Sequence, residues 1–307
     1  MRTPLVSIVI PCYNQALFLA EAIKGALRQT HSRVEVIVVD DGSTDDTRRV
    51  ASRYAGAGVV CLAQANAGTA VARNRGWQAS RGELLLFVDA DDRLLPDAVA
   101  RGCAALELAP EVGFVSGHVA LIHADGTPDV VPVQDHEPAG YASLLRWNYV
   151  WTPGVVVYRR SALDATGGFD PRAAGSADFD LNLRIARRQP IACHHAVVLE
   201  YRQHGANMTR DPALMLRSAV SVRRRERAHA ERRGAAVAWR VGLTSAQADF
   251  GARLADRIKG DLVQGRYARA LGGLACLLRY HPRGLAAMAA PREWPKLVAR
   301  RWRTAAR

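Results

Sequence analysis

The sequence predicts an α/β fold with a mostly parallel central sheet flanked by helices, followed by a basic α-helical extension at the C-terminus. Three observations lead to this prediction. Continuous apolar stretches alternate with helix-like stretches through the first 125 residues, which is typical of a parallel sheet covered on both faces. With 307 residues, the chain is long enough to bury a substantial core. Beyond Asp211 the pattern is helical and rich in arginine.

Strands and helices are predicted to alternate through the first hundred residues. The strands are short runs of valine, isoleucine and leucine, whereas the helices carry apolar residues three and four positions apart. The last helix begins near Pro96, because proline is tolerated in a first helical turn. The predicted order is strand Val6–Ile10, helix Gln15–Gln29, strand Val34–Val39, a helix from Asp45, strand Val59–Leu62, helix Thr69–Ala79, strand Leu84–Val88 and the helix after Pro96.

The pattern changes at about residue 112. A hairpin turn is predicted at Ala124–Thr127, and residues 128–140 resemble a loop with three prolines. These features divide the chain into a sheet domain, residues 1–210, and a helical region, residues 211–307. The predicted elements of this part of the sheet domain are strand Val112–Ile122, strand Val155–Tyr158, helix Ser176–Arg188 and strand Val197–Gln203.

Composition excludes several classes of protein. Hydrophobic residues make up 49% of the chain and the mean hydropathy is −0.09, so neither a disordered chain nor a polytopic membrane protein is expected. Five scattered cysteines without a CxxC pattern argue against a disulfide scaffold or a zinc ribbon and favour a reducing compartment. An apolar strand follows the first residues directly, so we expect no secretory signal and a cytoplasmic location.

The positive charge of the chain belongs to its C-terminal third. Residues 1–210 hold 21 basic and 22 acidic side chains, whereas residues 211–307 hold 21 basic and 7 acidic ones. A strongly basic segment favours a polyanionic partner, such as nucleic acid or an anionic membrane surface. The alternative is a solvated helical surface with no such partner.

Polar residues gather where three predicted strands end, at Pro11–Asn14, Asp40–Thr44 and Asp89–Asp92. Ligands of parallel sheets bind beyond these carboxyl ends. The pair Asp89-x-Asp91 offers the oxygen ligands that Mg²⁺ or Mn²⁺ prefers beside substrate phosphates, although acidic loops also cap helices. Asp40 and Asp41 either form a turn and cap the next helix or accept hydrogen bonds from a ribose or a base.

Four ordered sequence blocks resemble the family-2 glycosyltransferases. The resemblance covers about residues 4–210 and is strongest up to residue 100. It implies a GT-A fold, a nucleotide-diphospho-sugar donor, most often UDP-linked, a divalent cation, and inversion at the anomeric carbon. It also implies a nucleotide-binding half at residues 1–100 and an acceptor-binding half at 101–210. The blocks are Ser7–Asn14, Val38–Asp45, Asn66–Gly76 and Phe87–Asp92, the last followed by Leu95-Pro96-Asp97.

The same resemblance implies roles for individual residues of the donor site. The divalent ion, Mn²⁺ or Mg²⁺, would stabilise the negative charge that develops on the leaving diphosphate. A later segment, Tyr201–Thr209, resembles the part of the family that closes this site, and it offers His204 to the metal or the diphosphate. The implied roles are nucleotide contact for Pro11, Tyr13 and Asn14, base contact for Asp41, base or phosphate contact for Arg73, ribose or metal contact for Asp89, and metal ligation for Asp91.

Inverting transfer requires one general base for the acceptor hydroxyl. The segment Ala177–Asp180 resembles the family's Glu-Asp-x-Asp motif, whose first aspartate is the base, so the resemblance assigns this role to Asp178. Alanine at position 177 departs from the usual glutamate. The alternative is that Asp178 and Asp180 only complement a helix N-terminus.

Acceptor specificity is expected between residues 125 and 160, with Asp180 as a further candidate. Trp147, Asn148 and Trp151 supply the aromatic and amide groups there. The acceptor is expected to be a saccharide or a lipid-linked hydroxyl. Gly167-Gly168 also fits the family, with backbone shaping as its expected role.

Two other interpretations remain open, and a third is not expected. A sugar nucleotidyltransferase also combines a parallel sheet with metal-binding carboxylates, but no glycine-rich, basic phosphate loop follows the first strand. A non-catalytic homologue that only binds nucleotide sugars or anions would not need Asp41, Asp89, Asp91 and Asp178 together. Nucleic-acid binding is not expected, because the basic region has few aromatic residues to stack on bases.

The basic region is expected to dock on the cytoplasmic face of a membrane. Arginine and lysine flanking leucine and tryptophan are typical of interfacial helices. The alternative is that the apolar faces pack onto the sheet domain or a partner subunit. One predicted face consists of Val263, Tyr267, Ala270, Leu271, Leu274 and Leu278, and a second of Trp294, Leu297, Val298 and Trp302.

Overall fold

The computed structural model of the chain describes residues 3–132 and 139–285. The predicted apolar face at 294–303 and part of the 128–140 loop lie outside the described residues. The chain forms two compact units, one ending at Gly205 and the other beginning at Ala206. The division lies five residues before the boundary that the sequence analysis places at 210.

The first unit is built on an eight-stranded mixed sheet with the order β3-β2-β1-β4-β7-β6-β8-β5. Among the described strands, four of the seven neighbouring pairs are parallel. The predicted α/β class with a mostly parallel sheet is therefore confirmed. The strands are β1 (Val6–Cys12), β2 (Val34–Asp40), β3 (Val60–Ala63), β4 (Leu84–Phe87), β5 (Arg93–Leu94), β6 (Phe114–His123), β7 (Val156–Arg159) and β8 (Ala192–Gln203).

Seven helices of the described first unit connect these strands. Helix α2 begins at Thr47, two residues after the predicted start, because the Asp45 carboxylate accepts the Thr47 backbone N–H in a turn that precedes the helix. The helices are α1 (Leu19–Leu27), α2 (Thr47–Ser52), α3 (Thr69–Ala79), α4 (Ala98–Leu108), α5 (Tyr141–Arg146), α6 (Arg160–Thr166) and α7 (Ala177–Ala186).

The parallel half of the sheet brings the predicted polar clusters to one edge. Strand β1 pairs in parallel with both β2 and β4, and all residues of β1 and β4 are buried. This burial explains their unbroken apolar sequences. The polar residues after β1, β2 and β4 consequently lie at neighbouring carboxyl ends.

The second unit contains three described helices, α8 (Pro212–Arg232), α9 (Ala236–Val263) and α10 (Tyr267–Tyr280). Their shared core includes Leu216, Leu254 and Leu277, each fully buried. Helix α8 begins where the Asp211 carboxylate accepts the backbone N–H groups of the first turn and Pro212 takes the first helical position. In the described residues, none of the helices has both the length and the apolar character needed to cross a bilayer.

The predicted apolar face at 263–278 is divided in the structure. Helix α9 ends at Val263, Gly265 adopts a left-handed conformation, and α10 begins at Tyr267. On α10, Ala270 is fully buried and Leu274 packs partly against the core. Tyr267, Leu271 and Leu278 remain 64%, 65% and 55% exposed. The prediction of one continuous face is thus wrong, because glycine in a left-handed conformation ends the helical run there.

Candidate active site

The loop after β1 is fastened to the loop after β2. The Asn14 backbone N–H donates to Ser43 Oγ over 2.9 Å, and Asn14 Oδ1 accepts the Thr44 N–H at 2.8 Å. Asn14 adopts a left-handed conformation with φ of +52°, which asparagine tolerates better than most residues. The amide of Asn14 therefore shapes the site. Neighbouring Tyr13 is exposed, whereas Pro11 is buried within β1.

The carboxylate of Asp41 is buried beneath the loop that leads into α3. It accepts hydrogen bonds from Gln64 Nε2 at 2.7 Å and from the backbone N–H groups of Ala67 and Gly68 at 2.9 and 2.8 Å. These contacts fix the backbone that precedes Arg73. The carboxylate of the neighbouring Asp40 accepts the Ser43 N–H at 2.9 Å. This hydrogen bond closes a turn, which is one of the two roles that the sequence analysis offers for Asp40 and Asp41.

Arg73 is buried at the centre of the site. Its Nη2 atom donates to Asp89 Oδ1 over 2.5 Å, and the guanidinium carbon lies 5.3 Å from the centre of the Phe169 ring. Its Nε atom is buried and has no hydrogen-bond partner among the described residues. The guanidinium also acts electrostatically on Asp178. One positive charge thus connects the DxD segment with the predicted base.

Asp178 lies in the first turn of α7. Burial raises the pKa of its carboxyl group, the charge of Arg73 lowers it, and the charge of Asp89 raises it again. The net result is a pKa above the ordinary value. A raised pKa makes the carboxylate a stronger base, which suits the role that the resemblance implies.

Asp180 lies on the inner side of the same helix. Its Oδ2 accepts from Arg184 Nε at 2.7 Å, and the Arg184 guanidinium also donates to the carbonyl oxygens of Thr166 and Gly168 at 2.7 and 2.6 Å. The Asp180 side chain is only 8% exposed. The structure thus gives Asp180 an internal contact that joins α7 to the end of α6, rather than a place on an open surface.

Asp91 and His204 meet across the site, with Oδ2 and Nε2 2.8 Å apart. The His204 ring also packs on Phe18, with ring centres 4.9 Å apart. Burial and the neighbouring charge of Asp89 raise the pKa of Asp91, while the contact with His204 lowers it. The structure therefore joins Asp91 to His204, whereas Asp89, the third residue that the sequence analysis selects as a metal ligand, is paired with Arg73.

Buried Arg202 holds the DxD segment by hydrogen bonds. It is assigned no role in the sequence analysis. The Arg202 backbone N–H donates to Asp92 Oδ1 at 3.0 Å. Its side chain donates to the Asp91 carbonyl at 2.8 Å, to the Ala124 carbonyl at 2.9 Å and to Glu21 at 2.6 Å. The only feature of the sequence that points to Arg202 is its position two residues before His204. Arg202 fixes the backbone that carries Asp91.

The donor set around Asp91 fits a hard divalent cation. Asp89 and Asp91 supply carboxylate oxygens, which Mg²⁺ and Mn²⁺ prefer, and His204 supplies an imidazole nitrogen that Mn²⁺ tolerates. The two carboxylates repel each other, and this repulsion adds to the larger effect of burial in raising the pKa of Asp91. A bound cation would relieve this repulsion.

The predicted acceptor residues lie after α5. Trp147 and Trp151 are 60% and 44% exposed, and Asn148 is exposed between them. Exposed tryptophans provide flat apolar faces for a ligand. Their exposure is consistent with ligand contact.

Gly168 allows α3 and the segment before α7 to approach closely. It has a φ of +73°, and a Cβ atom there would lie 2.6 Å from both Asn74 Oδ1 and the Trp77 ring. Asn74 instead bonds both backbone groups of Phe169, each at 2.8 Å. The backbone-shaping role expected for Gly167-Gly168 matches this geometry.

Comparison with known proteins gives a family match and matches to curated relatives. The family model described as Glycosyl transferase family 2 matches residues 7–166, just over half of the chain. An uncharacterized glycosyltransferase of Nostoc sp. is 35% identical over 176 residues, which cover 54% of this chain and 54% of that protein. The chain thus spans about half the length of that curated relative.

Two solved structures share the fold. Residues 1–349 of TarS from S. aureus, in complex with UDP-GlcNAc, match with a TM-score of 0.60 at 16% identity, covering 95% of this chain and 86% of that one. The mannosyltransferase PcManGT from Pyrobaculum calidifontis, in complex with GDP-Man and Mn²⁺, matches with a TM-score of 0.60 at 20% identity, covering 93% and 88%. At these identities the likeness concerns the fold, which is of the GT-A type.

Proposed function

The chain belongs to glycosyltransferase family 2, and on this basis we propose that it moves a sugar from a nucleotide-diphospho-sugar to an acceptor hydroxyl with inversion at the anomeric carbon. The observation that carries the proposal is the placement of Arg73, which bonds Asp89 at 2.5 Å and acts electrostatically on Asp178. The buried guanidinium of Arg73 thus acts on a carboxylate of the donor side, Asp89, and on one of the acceptor side, Asp178. Such coupling suits a reaction in which a diphosphate leaves while a hydroxyl loses its proton.

The proposed donor is a UDP-sugar bound at the carboxyl ends of β1, β2 and β4. Exposed Tyr13 offers a ring on which a base can stack. Asp41 holds the Ala67 and Gly68 N–H groups, so it orders the loop beside the base. The two neighbouring folds bind UDP-GlcNAc and GDP-Man, so GDP-sugars are the second donors to test.

The proposed cofactor is Mn²⁺ or Mg²⁺, held by Asp91 and Asp89 with His204 beside them. A divalent cation there would neutralise the charge that develops on the leaving diphosphate. The chain's own part is to position these ligands. Arg202 holds the Asp91 backbone, and the Phe18 ring supports His204.

The proposed base is Asp178. The acceptor oxygen attacks the anomeric carbon on the face opposite the diphosphate. A new carbon–oxygen bond forms, the bond to the diphosphate oxygen breaks, and the acceptor proton passes to Asp178. One displacement inverts the configuration. The raised pKa of Asp178 favours proton uptake in the transition state.

The proposed acceptor is a saccharide or a lipid-linked hydroxyl. Trp147 and Trp151 are exposed and can stack on the apolar face of a sugar ring. Asn148 lies between them and can donate to or accept from sugar hydroxyls. This pair of tryptophans is the part of the site where acceptor choice is best tested.

We also propose that the second unit docks on the cytoplasmic face of an anionic membrane. On α10, the exposed apolar residues Tyr267, Leu271 and Leu278 follow one helical face. Exposed Arg269 and Arg279 lie on the same helix. An apolar face on a helix that carries arginine on its other sides favours the interface between lipid headgroups and chains. Docking would bring the active site to a lipid-linked acceptor.

The decisive experiment follows two products with the purified full-length chain. In one assay, UDP-, GDP- and dTDP-sugars are supplied with Mn²⁺ and a mixture of saccharide and lipid-linked acceptors. In a parallel assay, nucleoside triphosphates and sugar 1-phosphates are supplied with Mn²⁺. Transfer predicts release of a nucleoside diphosphate that requires both acceptor and metal. A sugar nucleotidyltransferase would instead release pyrophosphate from a nucleoside triphosphate and a sugar phosphate. Pyrophosphate release without nucleoside diphosphate release would contradict the proposal.

A further inference from the structure

Two histidines and a cysteine from two neighbouring strands gather at a second place in the first unit. His118 lies on β6, while Cys193 and His195 lie on β8. One ligand atom from each residue lies within 4.8 Å of the others. Cys193 Sγ and His118 Nε2 are 3.7 Å apart, and the two imidazole rings are nearly perpendicular with centres 5.6 Å apart. The three side chains therefore converge on one point.

An irregularity in the strand pairing lies at this convergence. Ser116 pairs with Cys193 and His118 with Val197, so β8 takes four residues where β6 takes two. The extra residues bulge out of the ladder, and His195 adopts a φ of +55° within the bulge. In a regular strand, alternate residues would continue along one face. Within the bulge the His195 ring remains beside the His118 ring, with ring centres 5.6 Å apart, and β-bulges are common where a side chain serves a site.

The separation of the donor atoms matches a tetrahedral metal ion. Zinc lies about 2.3 Å from a thiolate sulfur and about 2.0–2.1 Å from an imidazole nitrogen, so a tetrahedral angle places the two donors about 3.6 Å apart. The observed separation of Cys193 Sγ and His118 Nε2 is 3.7 Å. The ligand atom of the exposed His195 lies within 4.8 Å of the other two donors.

The chemistry of the donors selects the kind of cation. Thiolate and imidazole suit Zn²⁺, whereas Mg²⁺ and Mn²⁺ prefer carboxylate, carbonyl and water oxygens. His195 is exposed, and His118 and Cys193 are partly exposed, so an ion can enter from solvent. We propose that His118, Cys193 and His195 form a Zn²⁺ site that ties the β8 bulge to β6, with a fourth coordination position open to water.

This site is separate from the Asp91 site. His118 pairs with β8 five residues before β6 ends at His123, which corresponds to about 16 Å along the strand. His204, beside Asp91, follows the far end of β8. The Zn²⁺ site therefore stabilises the pairing of two strands and does not depend on the proposed glycosyl transfer.

The test uses the full-length chain after treatment with a chelator. Zn²⁺ is titrated against a chromophoric chelator, and Co²⁺ is added separately as a spectroscopic probe. The proposal predicts one Zn²⁺ per chain at this site, a higher melting temperature in Zn²⁺, and a Co²⁺ complex with tetrahedral visible bands and a thiolate charge-transfer band. Excess Mg²⁺ should not displace the Zn²⁺.

Two ligand variants and two controls identify the residues. Cys193→Ser should remove the charge-transfer band, and His118→Ala should weaken Zn²⁺ binding more than about 100-fold, beyond the usual cost of losing an outer-shell partner. Cys61→Ser and His123→Ala remove an exposed cysteine and an exposed histidine of the same sheet and should leave binding unchanged. If either ligand variant lacks the wild-type melting temperature without metal, His195→Gln in the exposed bulge replaces it.

Two outcomes would overturn the proposal. The first is a chain that binds less than one Zn²⁺ at concentrations where its melting temperature is measured. The second is Zn²⁺ binding that survives Cys193→Ser, His118→Ala and His195→Gln unchanged. In that case the ion binds elsewhere, and His118, Cys193 and His195 do not form a metal site.

Discussion

Arg73 Nη2 donates to Asp89 Oδ1 over 2.5 Å, and the same buried guanidinium lowers the pKa of Asp178. The contact joins α3 to the end of β4, and the electrostatic effect reaches the first turn of α7. Because one charge acts on two carboxylates with different proposed roles, replacing it should change both the activity and its dependence on pH.

Arg73→Met should move the acidic limb of the kcat/KM profile toward higher pH. Without the guanidinium, the pKa of Asp178 rises further, so the carboxylate stays protonated at pH values where the wild type is active. Activity at neutral pH should fall about tenfold or more, since a charged hydrogen bond is also lost. The matched control is Arg75→Met, at an exposed arginine of the same helix. An unshifted acidic limb in Arg73→Met would separate Arg73 from Asp178.

Asp178→Asn should lower turnover by about 10²–10⁴-fold while donor affinity changes little. Asparagine keeps the size and polarity of the side chain but does not accept a proton. The measurement pairs steady-state turnover with calorimetric donor binding. Asp164→Asn, at an exposed aspartate of α6, is the control. A variant of Asp178 that keeps half of its activity would assign the base to another group.

Asp91→Ala should abolish the part of nucleotide affinity that depends on Mn²⁺. Asp91 is the carboxylate that meets His204 at 2.8 Å, and its loss leaves one carboxylate of the DxD pair. Calorimetry with UDP, with and without Mn²⁺, measures the difference. Asp97→Ala removes an exposed carboxylate bonded to Arg101 on the same segment and should change nothing. Equal Mn²⁺-dependent affinity in folded Asp91→Ala would refute the ligand assignment.

Asp92→Asn should stabilise the metal-free chain at neutral pH by about 1–3 kcal/mol, the order of an unsatisfied buried polar group. Asp92 is buried, its Oδ2 has no partner among the described residues, and burial with the charges of Asp91 and Asp89 raises its pKa well above the ordinary value. The folded state therefore binds more protons than the unfolded state, and stability falls as the pH rises from the unfolded pKa through the folded one.

Asparagine at position 92 does not titrate, so the variant does not lose stability as the pH rises. Its side-chain oxygen still accepts the Arg202 N–H. Chemical unfolding between pH 3.5 and pH 8 measures the effect, with Asp97→Asn as the exposed control. The advantage of the variant should disappear near the unfolded pKa of about 3.9. A constant difference between variant and wild type across this range would contradict the proposed titration of Asp92.

The sequence predicts the donor side of the site well, because parallel strands carry their polar ends to one edge. Asp41, Asp89 and Asp91 follow from this rule together with the family resemblance. Arg202 and Asp92 are 110 residues apart, and their contact depends on the pairing of β5 with β8. That pairing leaves no local periodicity in the sequence, so the contact could not be predicted.

The acceptor side shows a different limit. Asp180 and Arg184 are four residues apart on α7, and this spacing alone favours an internal ion pair. The family resemblance points to Asp180 as an acceptor candidate but gives no role to its partner Arg184. His118 and Cys193 show the opposite case, because 75 residues separate them and the pairing of β6 with β8 brings them together. Metal-site spacing rules apply within one segment and cannot detect such a cluster.

Leu271→Glu should weaken binding of the full-length chain to anionic liposomes. Leu271 is 65% exposed on α10 between Tyr267 and Leu278, so a carboxylate there would have to enter the headgroup region against the negative surface potential. Flotation with vesicles containing phosphatidylserine, at low and high salt, measures the effect. The expected result is a severalfold loss of bound protein and retention of the wild-type melting temperature.

Val237→Glu is the matched control, because Val237 is 71% exposed but belongs to α9. It should bind like the wild type if docking uses the face of α10. Equal losses in both variants would point to a general effect of added negative charge, since each basic residue near an anionic leaflet contributes about 1 kcal/mol. Wild-type protein that stays in the soluble fraction at low salt would reject docking altogether. The exposed face of α10 would then be an ordinary solvated surface, and an acceptor linked to lipid would have to reach the enzyme in another way.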